Sequence, residues 1–119
     1  ERALTLETAR GGEMHPDTIA LIHNIAGLYR KQSRLNEALA MHQRALDASK
    51  AHPDLGPDAW QTAMFHVGHA QTLHQAGREQ EADAEMTRSI TILSASLGAQ
   101  HPRTLRAQEI QANLRASRQ

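Results

Sequence analysis

The chain repeats itself, and the period constrains its fold more than any single motif does. Shifted by 86 positions, residues 2–18 (RALTLETARGGEMHPDT) lie over residues 88–104 (RSITILSASLGAQHPRT). They match at Arg, Thr, Ala, Gly, His, Pro and Thr, with Leu4 over Ile90 and Leu6 over Ile92. A shift of 44 brings SRLNEALAMHQRAL (33–46) onto GREQEADAEMTRSI (77–90), pairing Arg34 with Arg78, Glu37 with Glu81, Ala38 with Ala82 and Arg44 with Arg88. A shift of 42 pairs Leu55-Gly56 with Leu97-Gly98, so the long shift is one unit of 44 residues and one of 42. The extra residues fall in the connection LDASKAHPDLGPD, where lengthening leaves helix packing unchanged. Self-similarity at such a period is the signature of stacked supersecondary units.

Each unit reads as helix, tight turn, helix. Pro16 and Pro102 suit a first helical turn, where a missing N–H costs nothing, and Gly12 and Gly98 suit the end of the preceding helix. His-Pro-x-Thr, at 15–18 and 101–104, is therefore punctuation and not a catalytic motif, which would occur once. Pro57 is expected to start the middle unit in the same way, in GPDAWQT, where Ala59-Trp60 replaces His-Pro. The spacing predicts helices near 1–11, 16–32, 34–50, 57–76, 78–97 and 101–117. Ile19, Ile22, Ile25, Ala26 and Tyr29 recur at helical spacing, as do Leu35, Ala38, Leu39, His42, Ala45 and Leu46, and Ala82, Met86, Ile90, Leu93 and Leu97. Leu21 and Leu28 on a further flank imply helix neighbours on more than one side. Ser33 and Gly77 sit where the hairpins reverse: Ser33 is expected to cap the next helix through its hydroxyl, Gly77 to take a positive φ. No segment alternates with strand period.

Composition agrees with an all-α chain. Hydrophobic residues make up 39%, yet there is one each of Trp, Tyr and Phe, so Ala and Leu must supply closely packed helix crossings. Thirteen basic residues balance thirteen acidic ones, which removes the overall field that draws a chain to nucleic acid or an anionic membrane. Arg103, Arg106, Arg115 and Arg118 against Glu109 read as a solvated face of a terminal helix in preference to a patch for an acidic partner. Without cysteine there is no disulfide framework or thiolate site, and a cytoplasmic location is expected. No apolar run approaches the roughly 18 residues a membrane span needs. A start on Glu-Arg-Ala-Leu reads as a piece of a longer protein.

Residues 24–46, NIAGLYRKQSRLNEALAMHQRAL, resemble a tetratricopeptide repeat through Ala26 and Tyr29 on the first helix and Ala38 and Ala45 on the second, with Asn-Glu-Ala ahead of them. The long unit and the linkers LGPDAWQT and LGAQHPRT resemble the kinesin light chain-like subclass. The resemblance implies an α-solenoid of antiparallel helix hairpins, a right-handed superhelix of about six helices. Residues 1–11 would be the second helix of a preceding repeat, 12–55 and 56–97 full repeats, and 98–119 a terminal or capping helix. HEAT-like pairing has a similar period and is the alternative fold. The sequence departs from the pattern at Ser33, where the family has glycine, at His42, where it often has an aromatic, and in TLRAQEIQANLRASRQ.

Eight histidines raise the question of a metal. His66 and His69 in HVGHAQTLH share a helix face, and His42 on the neighbouring helix is a third weak candidate, with His74 weaker still. The repeat register places His66 and His69 over Ile22 and Ile25, so packing through one ring nitrogen is the favoured reading, with a pH-sensitive interface as the other. No cofactor is expected. Nucleophile-elbow, phosphate-loop and paired-carboxylate motifs are missing, and Glu79, Glu81, Asp83 and Glu85 are expected to form a solvated face.

Binding is what remains. In the resembling family, groove positions surround the core of each first helix. Carried onto this chain they are His23, Asn24, Gly27, Arg30 and Lys31, then Val67, Gly68, Gln71, His74 and Gln75. Asn24 can clasp a peptide backbone, and Arg30 with Lys31 can meet a carboxylate. Gly68 stands where the asparagine would be. Gly27 and Gly68 each cost about 1 kcal/mol of helix propensity, which a close approach of ligand or helix would explain. The expected function is a non-catalytic peptide- or protein-binding module. Alternatives are an array that regulates an attached kinase or protease, and self-association through the N-terminal helix, where Leu4 and Leu6 lack a covering helix.

Overall fold

The computed structural model describes residues 14–117, which form five α-helices and no strand among them. They are α1 (Pro16–Lys31), α2 (Leu35–Ala51), α3 (Trp60–Gln75), α4 (Glu79–Leu97) and α5 (Pro102–Ala116). The expected helix over 1–11, with Gly12, Leu4 and Leu6, lies outside the described residues.

The Gly…His-Pro-x-Thr pattern at 98–104 is a complete helix-start device, and the His-Pro at 15–16 shares its cap. Pro16 and Pro102 occupy the first helical turn, and the residue before each is the cap. The Nδ1 atoms of His15 and His101 accept the backbone N–H of Asp17 at 3.0 Å and of Arg103 at 3.1 Å, satisfying a donor the helix leaves orphaned. A third His-Pro, at 52–53, does the same for a turn, with His52 Nδ1 accepting from Asp54 N–H at 3.0 Å. The threonine closes the device from the other side: Thr104 Oγ1 donates to Gly98 O at 2.9 Å, and Thr62 Oγ1 donates to Gly56 O at 2.7 Å. Thr62 and Thr104 are fully buried, so these bonds hold each linker onto the helix that follows.

Two expectations about helix starts are corrected. Pro57 does not open α3: the helix begins at Trp60 with Ala59 as its cap, because register places Trp60 where Pro16 and Pro102 stand. Pro57 and Asp58 belong to the preceding turn. Ser33 does not cap α2, whose N-cap is Arg34 with no side-chain bond. Ser33 instead takes φ 62°, as Gly77 takes φ 88°, and both hairpins close through the same pair of bonds. Arg34 N–H reaches Tyr29 O and Arg78 N–H reaches Leu73 O, each at 2.9 Å, while residues 33 and 77 donate to Arg30 O and His74 O at 3.0 Å. The left-handed residue terminates one helix and aims the next.

Packing is sequential: α1 on α2, α2 on α3, α3 on α4, α4 on α5. The first helices of the units also touch, α1 with α3 and α3 with α5, along one side. The shortest overall dimension, 19 Å, is about two helix diameters, so the array is a two-layer slab. Ala26, Ala38, Ala45, Ala63, Ala70 and Ala82 are fully buried at the crossings. One apolar cluster gathers Met14, Ile19, Ile22, Ala26, Met41 and Ala45; the other gathers Ala63, Val67, Ala70, Leu73, Ala82, Met86, Leu93 and Ala107. Between the hairpins, polar groups lie beside the apolar contacts of Leu39 and Phe65.

Candidate functional site

The predicted groove residues divide into three groups. Asn24, Lys31 and Gln75 are exposed, while His23, Gly27, Arg30, Gly68, Gln71 and His74 are half-buried. Val67 departs from expectation: at 4% exposure it belongs to the core of the second cluster and presents nothing to a ligand. The structure joins several of the rest. Gln75 Nε2 donates to Arg30 O at 3.4 Å, linking the ends of α1 and α3, and His74 Nε2 lies 3.0 Å from Ser117 Oγ beyond α5.

The two groove glycines differ. A Cβ on Gly68 would overlap the His23 ring, with Nε2 at 3.2 Å and Nδ1 at 3.3 Å, so its cost to helix propensity is explained by helix crossing. Gly27 has nothing within 4 Å of that position and leaves an open floor beside Asn24 and Lys31.

Behind this face runs a file of imidazoles. The His23 and His42 rings lie 5.6 Å apart, His42 and His69 5.8 Å apart, and His23 also packs on Phe65 at 5.0 Å. For His42 a hydrogen bond fixes the tautomer. Thr72 Oγ1 donates to Gly68 O at 3.2 Å, so at 2.8 Å from Thr72 Oγ1 the His42 Nε2 is the donor. Its Nδ1 is then a buried lone pair without a partner. Burial, with His23, His69 and Arg30 as further positive neighbours, pushes His42 down to about 3 against the opposing pull of Glu85. His23, whose Nδ1 is also buried and unpartnered, is lowered by burial.

At the far end Glu85 receives two histidines. His66 Nδ1 lies 2.5 Å from Oε2, and His69 Nδ1 lies 2.9 Å from Oε1 and 2.8 Å from Oε2. A carboxylate only accepts, so both Nδ1 atoms carry protons. Burial alone would raise the Glu85 pKa, but the two hydrogen bonds override it and hold the carboxyl down to about 2. Glu85 is thus a clamped, half-buried group, not part of a solvated acidic face. The sequence reading missed it, although its place three residues after buried Ala82 and four before buried Ser89 marks the flank of the inward side.

The three histidines named as weak metal candidates each have a protein partner. His66 and His69 turn Nδ1 onto Glu85, His42 turns Nε2 onto Thr72, and among the described residues no group of three His, Cys, Asp or Glu is arranged to hold a metal ion. His66, His69 and Glu85 form the floor of a cleft of about 340 Å³ walled by Gln43, Leu46 and Lys50 of α2 and by Ala84 and Arg88 of α4.

Residues 18–52, which take in most of α1 and all of α2, match the family model described as tetratricopeptide repeat. The match supports a tetratricopeptide repeat protein. No curated protein and no solved structure matches the chain. Tetratricopeptide repeats generally mediate protein–protein interaction, and their fold is typically non-catalytic. Among the described residues no helix is long and apolar enough to cross a membrane.

Proposed function

We propose that this chain is a non-catalytic interaction module that binds a peptide segment of a partner protein along the shared face of α1 and α3. The observation that carries the reading is the open floor at Gly27, flanked by exposed Asn24 and Lys31 and by half-buried Arg30, with Gln75 of α3 reaching across to Arg30 O. An extended backbone needs paired donors and acceptors, which Asn24 and Gln75 offer, and Arg30 with Lys31 suits a carboxylate of the peptide. The architecture we propose for the whole is a right-handed solenoid of the kinesin light chain-like subclass, with units at 12–55 and 56–97, working in the cytoplasm.

An array of acidic peptides tests the site. Binding is expected to fall at least tenfold on Asn24→Ala and on Arg30→Ala, and to be unaffected by Gln108→Ala on the exposed side of α5. Binding that survives both groove substitutions refutes the site.

A further inference from the structure

The contact between the α1–α2 hairpin and α3 sets imidazoles beside the apolar contacts of Leu39 and Phe65. His23 lies in the space over Gly68, His42 donates through Thr72 to the Gly68 carbonyl, and both rings keep a buried Nδ1 without a partner. The neutral lone pair of such a nitrogen tolerates burial, whereas an N–H⁺ there is an unpaired donor and an unpaired charge together. We propose that this seam is an acid-operated hinge, in which protonation of His23 and His42 separates the α1–α2 hairpin from α3–α4 while the helices persist.

The charges around the hinge work in one direction. His42 faces His23 and Arg30 on α1, His69 on α3 and Glu85 on α4. Three of these are cationic or can become so, and the single carboxylate is already occupied by His66 and His69. A proton taken by one ring therefore opposes a proton on the next, 5.6 or 5.8 Å away. Separation relieves this by giving the rings to water, where an imidazole protonates near pH 6.5. Because His42 in the closed seam is held down to about 3, the sign is fixed. Closure is fully favoured above about pH 6.5 and weakens as pH falls towards the closed-state value. For His42 alone the opening equilibrium grows on the order of 30-fold between pH 7.5 and pH 5, and His23, also lowered, adds in the same direction.

The inference deepens the groove reading, because Arg30 and His23 stand on one side of the seam and Gly68 and Gln75 on the other. It rests on that reading only for its consequence, the release of a peptide in acid. The opening itself is measured without any peptide, so its failure leaves the groove reading standing.

The chain contains no cysteine, so spin labels placed at Ala51→Cys and Ala95→Cys, exposed residues 44 positions apart on α2 and α4, report the distance between hairpins. From pH 7.5 to pH 5 the distance distribution is expected to lengthen and broaden while far-ultraviolet circular dichroism keeps its helical signal. A His23→Leu/His42→Leu variant, also labelled, is expected to keep the closed distance at both pH values. An unchanged distance at pH 5, a simultaneous loss of helix and distance, or a double variant that responds as the parent does would each overturn the hinge. Should that variant fail to fold, the His42 ring proton in the parent decides. Neutral until the labels separate, it supports the hinge; titrating near pH 6.5 with the labels still close, it overturns it.

Discussion

The His23 ring on α1 occupies the space that a side chain at position 68 on α3 would need. Two helices of successive units approach there because one side is glycine and the other a flat ring held against Phe65 and His42. In an isolated helix Gly68→Ala would gain about 1 kcal/mol. In this protein we expect it to lose about 1–3 kcal/mol, the usual cost of overpacking, since the ring that must shift is packed on Phe65 and His42. Gly27→Ala, at an open position, should instead gain up to about 1 kcal/mol. Urea unfolding of the two variants, and of Gly68→Ala combined with His23→Ala, checks this. Additive losses in the double variant would contradict the contact.

Glu85 contributes a second, lower pH dependence. Its carboxyl is held at about 2 in the folded protein against an ordinary value of 4.5, so its stabilisation is complete above pH 4.5 and disappears as pH falls towards 2. That difference corresponds to about 3 kcal/mol at neutral pH. Glu85→Gln should lower stability at pH 7 by roughly 1.5–3 kcal/mol, the range for hydrogen bonds to a charged group. It should also flatten the stability profile between pH 4.5 and pH 2. A variant whose acid limb matches that of the parent would show that the His66 and His69 bonds do not hold the carboxylate.

Ser33 pays for a conformation that Gly77 adopts freely. With φ at 62°, the serine sits in the left-handed region that disfavours a Cβ. Ser33→Gly should stabilise the protein by about 0.5–1 kcal/mol, the relief of strain exceeding the added freedom of the unfolded chain. Gly77→Ser should cost a similar amount. Thermal denaturation of the reciprocal pair measures both, and equal signs would be the wrong result.

His101 caps α5 with a ring nitrogen, Nδ1, that accepts the Arg103 N–H. His101→Ala should cost about 1 kcal/mol. His101→Asp should recover that loss, because a carboxylate accepts the same N–H and also suits the positive end of the helix. Comparison of the two melting temperatures at pH 7.5 tests this; an Asp variant no better than Ala would refute it.

The helices were legible in the sequence for a local reason. Proline after a capping residue, a glycine free to turn left-handed between Ala76 and Arg78, and apolar residues at helical spacing are properties of a few neighbours at a time. Where the reading slipped, a local signal had two meanings. Pro57 suits a turn as well as a first helical position, and Ser33 suits a cap as well as a tight reversal. The groove list fared unevenly for another reason. Carry-over by register places Val67 beside Gly68, but which side of α3 is covered depends on α4 and α5, and they take Val67 into the core.

The sequence by itself determined the period, the helical character of the described residues and most of the starts and stops, because these follow from backbone sterics, capping and spacing within each unit. Only the tertiary structure decided what the histidines do. Nothing in HVGHAQTLH says that Glu85, 16 and 19 residues away, receives His69 and His66, or that Thr72 receives His42 across the seam. A hydrogen bond between helices depends on crossing angle and register to within an ångström, and that geometry is set by the sum of the packing contacts.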